Sequence, residues 1–554
     1  MNINGIRADI DRILYPYLSV NSETCTAGEK EAESYLLKVL GDIKYFRNNQ
    51  NQYGAFPIPQ DPFGRSVCWG LLRGAGERTV VLLHHYDVVN VEDFKTFKDF
   101  AFRPGELEKE LFKIKDELHK EAAEDLSSGE YLFGRGTADM KAGGAIQLAL
   151  LARLSEGKEL NGNVLLLAIP DEENLSAGMR GAILLLSELR QKFGLRFVYA
   201  INSEPHQRKT ADAGVISEGS VGKMLAFVYV RGFLAHVGKV FEGLNPLAIL
   251  SKIAVDVELS QEFSDVVHGE AAPPPTWLYL RDRKKEYSVS MPLGAGGCVS
   301  ILTLSSDPAL ILEKLVKISR TAFDETLQKI NGSYEVFCGN SRRTPEALPW
   351  KTKVCTFGEL LDEAKQNNDT KFLARYSAEL DKINGEISKG ACTFIEASFA
   401  LTEFIYNYVN DASPRAVVGF VPPYYPNVSN IMLKDERNSC PGLASELISF
   451  ARKEYNQAYE REFYFTGISD LSYFSLSGSE TVEGALRNNM PLYGEAYSIP
   501  LAEIEKLSMP CMNIGPWGKD FHKMTERVYK PDLYERTPAL LVKAIETILQ
   551  DKGA

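Results

Sequence analysis

Three short apolar runs constrain this chain more than any other feature, because each is too apolar for a surface strand and each leads into an acid or an imidazole. They are TVVLLHHYD (79–87), NVLLLAIPDEE (163–173) and FVYAINSE (197–204). A continuous β-branched and leucine run of this length reads as a strand buried on both faces. Between and around these runs lie stretches of helical character at 29–40, 141–156 and 178–192. The alternation predicts an α/β sheet with helices on both faces. In open sheets of this kind, ligands bind beyond the carboxyl ends of the strands. Three such ends carry His85 and Asp87, Glu172 and Glu173, and Glu204.

The character changes near residue 213. GVISEGSVGKMLAFVYVRGFLAHVGKV reads as β-hairpin material, followed by a helix at 246–260, a Pro-rich AAPPPTW loop and a largely helical block at 356–410. A strand, RAVVGFV (415–421), then runs into PPYYP, and α/β character resumes through residue 548. The predicted organisation is a catalytic α/β domain in two pieces, 1–212 and 429–554. A large α+β lid or dimerisation domain, 213–428, interrupts it. The segment 106–130 is densely charged and reads as a solvated surface helix and loop.

Bulk properties exclude several classes. The net charge is −12, from 62 basic and 74 acidic residues, with no basic tract to engage a nucleic-acid backbone. No apolar run reaches the roughly 18 residues of a membrane span, and no secretory leader is visible, so a cytoplasmic location is expected. The eight cysteines contain no C-x-x-C pair and read as reduced thiols. No G-x-S-x-G elbow is present for serine hydrolase chemistry.

Five residues make a ligand set for two cations: His85, Asp139, Glu173, Glu204 and His522. His85 and Asp87 are two apart on a strand and share a face, as a metal-binding imidazole and its supporting carboxylate would; a buried, satisfied His-Asp pair gives the same spacing. Asp139 sits in GRGTADMKAGG, a Gly-rich turn that could hold a carboxylate between two cations or cradle an anion. The G-x-x-x-x-G-K-[ST] spacing is absent. Adjacent Glu172 and Glu173 repel one another unless something positive neutralises them; a charged strand-to-helix loop is the competing reading. With Glu173 on a metal, Glu172 could serve as general base. His84 and His206 read as packing or outer partners. Two imidazoles and three carboxylates suit zinc, with manganese or cobalt as substitutes.

Taken together and in chain order, H-x-D after an apolar strand, GRG-x-x-D-x-K, D-E-E, S-E-P and a late His after a Gly/Pro turn resemble the dinuclear zinc aminoacylase/carboxypeptidase/succinyl-diaminopimelate desuccinylase family. FAFRP (100–104) and TGISDLSYF (466–474) are smaller echoes. The resemblance implies that Asp139 bridges two zinc ions, that His85 and Glu204 complete one site, and that Glu173 and His522 complete the other. It makes Glu172 the general base and Asp87 the support of His85. RGFLAHVGKVFEGLNPL (231–247) resembles the family's lid segment, which implies that His236 stabilises an oxyanion, typically across a dimer, and that Asn245 lies near substrate. The chain departs from the pattern in three places. His85 and Asp139 are 54 residues apart, longer than usual; the lid is about twice the ordinary size; and GCVSILTLSSDP (297–308) replaces the usual Asn-x-Ile-Pro strand. The long lid ending in VVGFVPPYYP is most like RocB-type arginine-utilisation proteins, implying a substrate in arginine catabolism. The expected activity is metal-dependent hydrolysis of a small N-acyl amino acid or dipeptide by a lid-mediated homodimer. The alternative is a binding protein that keeps the metal site without turnover.

Overall fold

The computed structural model describes residues 5–157, 160–210, 212–433 and 440–550. The chain forms two compact units, one drawn from 1–221, 428–477 and 502–554, the other from 222–427 and 478–501.

The first unit is built on an eight-stranded mixed sheet. Its order is Tyr53–Pro57, Ser66–Leu72, Asn163–Ile169, Arg78–His85, Arg196–Asn202, Cys511–Asn513, Ala213–Ser217 and Ala458–Glu462. Arg78–His85 lies parallel to both of its neighbours, so the ends bearing His85, Glu172–Glu173 and Glu204 open on one edge. The apolar runs are apolar throughout because both faces are covered. Val80, Leu82, Leu166 and Ala168 pack in one core with the helices Ile6–Ser19, Lys141–Glu156 and Thr537–Gln550. Val81, Leu83, Leu165 and Leu167 are equally buried and, by strand alternation, point the other way. The helix Ala177–Phe193 packs against the strands Ser66–Leu72 and Asn163–Ile169. A three-stranded sheet of Gly518–Lys519, Arg527–Tyr529 and Tyr131–Phe133 completes the unit.

Glycine governs the closest helix-to-strand approach. A Cβ on Gly143 would stand 2.2 Å from the Ser203 carbonyl oxygen, and one on Gly144 would stand 2.5 Å from the His84 ring. The glycines after Asp139 therefore let the helix Lys141–Glu156 lie against the strand ends.

The second unit holds a five-stranded sheet ordered Thr276–Asp282, Gly294–Thr303, Gly222–Arg231, Arg415–Tyr425 and Val354–Thr356. Only the last pairing is parallel. Phe227, Tyr229, Phe372 and Phe399 lie in its core. The helical block is two helices, Phe357–Ser388 and Phe394–Tyr406, the first opened by a Thr356–Glu359 capping box. A further helix, Pro308–Asn340, precedes it.

Three details differ from the sequence reading. Residues 213–231 are not one hairpin: Ala213–Ser217 pairs parallel with Ala458–Glu462 in the first unit, while Gly222–Arg231 belongs to the second. Residues 478–501 cluster with the second unit, not with the C-terminal piece. There Asn489 Oδ1 accepts from the Gly358 amide at 3.1 Å, and the Tyr497 hydroxyl accepts from the Tyr424 amide at 3.0 Å. PPYYP also continues the strand to Tyr425 through a register shift between Val421 and Tyr424, where prolines without an N–H are tolerated.

Candidate metal centre

All five expected ligands, together with Asp87 and Glu172, converge in the first unit. The His85 Nδ1–H donates to the Asp87 backbone carbonyl at 3.0 Å, which turns Nε2 toward the acids. Nε2 lies 3.1 Å from Asp139 Oδ1, 3.5 Å from Glu204 Oε1 and 4.0 Å from Glu172 Oε2. The other oxygen of Asp139, Oδ2, lies 3.3 Å from His522 Nε2, which is 3.2 Å from Glu173 Oε1. Asp139 thus presents one oxygen to each imidazole. The donor atoms fall into clusters of the size a cation would draw together: His85, Asp139 and Glu173, and His85, Glu172 and Glu204.

The Asp87 carboxylate makes its closest contacts elsewhere than at His85. It is 3.5 Å from His85 Nδ1, but it accepts from the Thr24 hydroxyl at 2.8 Å and from the amides of Glu172 and Glu173 at 3.2 Å each. One buried carboxylate therefore ties the His85 strand end to the Glu172–Glu173 turn. The preceding residue, Asp171, has φ of 69°. It is pinned by Arg65, which donates to it at 2.7 Å and also pairs with Glu29 and Asp61. On the Asp139 side, Glu526 Oε1 accepts from the amides of Ala138 and Asp139 at 3.2 Å each, while Arg135 holds its other oxygen at 2.6 Å.

The electrostatics call for cations. Burial pushes the carboxyls of Glu172 and Glu204 well above the usual range, and neighbouring acids add to it. Burial also raises Glu173, with Asp139 contributing. Hydrogen bonds that the imidazole donates to Asp139 and Glu173 push His522 up to about 10. Burial opposes the charged form of His85, yet Glu204, Asp139 and Asp87 raise it well above the ordinary histidine value. Five carboxylates enclose two imidazoles, so without added positive charge some acids must hold protons. Hard oxygen donors in excess, with two imidazole nitrogens, fit a pair of divalent cations.

A cavity of about 430 Å³ opens on this cluster, the size of a small-molecule site. Asp139, Glu172, Glu173, Glu204 and His522 all line it, and Arg208, Lys209, Glu462, Phe465 and Ile468 are among its other lining residues. His84 is buried away from the cluster against Gln147, at 3.0 Å, as a packing residue. His206 is buried, its Nδ1–H donating to the Gly515 carbonyl at 2.9 Å, and it lies among the residues that line the cavity. His236 and Asn245 lie in the second unit. His236 is exposed and accepts from the Gly238 amide at 3.1 Å. Asn245 caps the helix Pro246–Val257 by accepting from the Leu247 amide at 3.0 Å.

Sequence reasoning missed Glu526, Arg65 and the pocket-wall residues Glu462 and Phe465, while the wall residues 466–468 fall in the TGISDLSYF motif. Glu526 stands four residues after His522 and could have been suspected from proximity. Arg65 carries no local signal.

Residues 116–546 match peptidase family M20/M25/M40; the span takes in every candidate ligand except His85. YqjN of Bacillus subtilis (strain 168), a protein named as uncharacterized, is 32% identical over 547 residues, covering 97% of this chain and 96% of its own. RocB of the same organism is 28% identical over 555 residues, covering 98% and 95%. A solved M20 family metallo-carboxypeptidase from Sulfolobus solfataricus shares the fold, with a TM-score of 0.52 at 13% identity over 98% of this chain and 99% of its own. The chain belongs to peptidase family M20/M25/M40 and is a metallo-hydrolase that acts on amide bonds.

Proposed function

We propose that the centre takes two divalent ions, zinc in the first place with manganese or cobalt as substitutes, and cleaves the amide bond of a small N-acyl amino acid or dipeptide. The observation that carries this reading is the split carboxylate of Asp139, with one oxygen 3.1 Å from His85 and the other 3.3 Å from His522. His85 and Glu204 would complete one site, Glu173 and His522 the other. When bound, the ions supply Lewis acidity toward the scissile carbonyl and make water acidic enough to attack it near neutral pH.

The remaining work falls to the chain. Glu172, at the cavity wall, takes a proton from the attacking water and returns it to the leaving amine. Asp87 fixes the Glu172 amide and so the reach of the base. The oxyanion role of His236 and the substrate contact of Asn245 rest on the resemblance of residues 231–247. A homodimer formed through the second unit has the same basis, and molar mass in solution checks it.

An arginine-derived substrate is the finer reading, supported by likeness to RocB over nearly the full chain. Metal analysis with a screen of N-acyl amino acids and dipeptides, arginine-containing ones included, tests it. Glu172→Ala should keep its metal and lose at least about 10²-fold in turnover; retained turnover overturns the base assignment. A protein that binds two ions and cleaves none of the compounds in the screen overturns the substrate class proposed here.

A further inference from the structure

Residues 106–130, read from sequence as a solvated segment, enter no step of the chemistry above. In the structure most of them lie in two helices, Pro104–Lys113 and Lys120–Ser128, joined through a short 3-10 helix, Lys115–Glu117. The second helix places Asp125 against the base of the turn that carries His522. A single oxygen of Asp125 accepts from Lys519 Nζ at 2.8 Å and from Arg527 Nε at 2.7 Å. Lys519 and Arg527 are paired across the two short strands that open and close that turn. The Arg527 guanidinium also reaches into the turn, donating to the Asp520 carboxylate and, at 3.0 Å, to the Thr525 carbonyl. Asp520 in turn accepts from the Thr525 hydroxyl at 2.8 Å.

Burial separates this frame from an ordinary surface ion pair. The side chains of Arg527 and Asp125 are 1% and 14% exposed, so the pair is little screened and its geometry is specific. Glu121, a further partner of Lys519 at 2.8 Å, is 57% exposed and contributes little by comparison. The His522 side chain is itself half exposed, so packing around the ring does not set its position. Apart from its contacts with Asp139 and Glu173, the ring depends on the turn, which holds His522 at φ 62°, a conformation a histidine keeps where its surroundings enforce it.

We propose that Asp125 is a positioning residue for His522: through Arg527 and Lys519 it fixes the turn that aims this imidazole at Asp139 and Glu173. The inserted helices are then the outer support of one of the two ion sites. This rests on the two-ion reading of the centre.

The experiment is a Co²⁺ titration of the metal-free full-length protein, followed by absorption, for wild type, Asp125→Ala, Asp125→Asn and Glu121→Ala. Outer partners of metal ligands typically set affinity by about 10–100-fold. Asp125→Ala should weaken one of two sites by that factor and leave the other unchanged. Asp125→Asn, which keeps one acceptor oxygen, should fall between, and Glu121→Ala should match wild type. Circular dichroism of the metal-free proteins checks folding. If Asp125→Ala does not fold, Arg527→Lys, which keeps the charge and loses the forked donor, is judged by the same criterion. Two sites of wild-type affinity in the variant, or equal weakening of both, overturns the proposal alone. Wild-type protein taking up fewer than two ions overturns the two-ion reading, and the proposal with it.

Discussion

Replacing Asp87 with alanine should cost the first unit about 2–6 kcal/mol and slow turnover by about 10–100-fold. The carboxylate is fully buried and accepts three hydrogen bonds, from the Thr24 hydroxyl and the amides of Glu172 and Glu173. Thr24 has a second acceptor in the Val88 carbonyl at 3.2 Å, so its hydroxyl stays bonded. The two amides are left without their acceptor, and each buried orphan costs about 1–3 kcal/mol. Removing one negative charge from a crowded acidic cluster offsets part of this in metal-free protein, so the larger loss is expected with metal bound. Asp87→Asn keeps one oxygen, leaves one amide facing an NH₂ group, and should cost about half as much. The turnover loss follows from release of the Glu172 turn and of His85. Denaturant unfolding of wild type and both variants, with metal and with chelator, reads the stability; initial rates on the best substrate of the screen read the rest. If Asp87→Ala lies within about 0.5 kcal/mol of wild type in both forms, the carboxylate does not hold the turn and the reasoning fails.

Other perturbations reach the rest of the molecule. Gly515→Ala would place a Cβ 1.9 Å from the Glu204 carbonyl oxygen, so Glu204 must move; thermal melts and metal content should both fall, and an unchanged protein contradicts the packing. In the second unit, burial would raise the Asp265 carboxyl, but bonds from the Ser306 hydroxyl and the amides of Leu304, Ser305 and Ser306 outweigh it and lower it. Its stabilising contribution is therefore present above the ordinary carboxylate pKa and lost as pH falls through the lowered value. The stability gap between wild type and Asp265→Ala should be open at pH 7 and narrow below about pH 4; a gap independent of pH refutes this. Chelation should destabilise the first unit, since ligand at about 1,000 times Kd contributes about 4 kcal/mol, and differential scanning with and without Zn²⁺ measures it.

The strand ends were legible because burial on both faces leaves an uninterrupted apolar run, and a polar residue ending such a run stands out. His85, Glu172, Glu173 and Glu204 were found that way. Asp139 and His522 lie in turns, where periodicity carries no signal, and only ordered motifs reached them. The supports escaped because their partners are distant in sequence: Asp125 and Lys519 are 394 residues apart, and Arg65 and Asp171 are 106 apart. A charged helix that covers an ion-pair frame has the same composition as one that faces water. Residues 478–501 read as catalytic for a similar reason, since α/β character does not say which unit a helix joins. The dual role of Asp87 was half visible: its spacing from His85 was, its bonds to two backbone amides were not.

The most direct test is anomalous diffraction at the zinc edge from crystals of the zinc-loaded protein. The account predicts two peaks about 3.5–4 Å apart, one on each side of the Asp139 carboxylate, the first beside His85 and Glu204 and the second beside Glu173 and His522. A single peak, or a pair that leaves Asp139 uncoordinated, contradicts it.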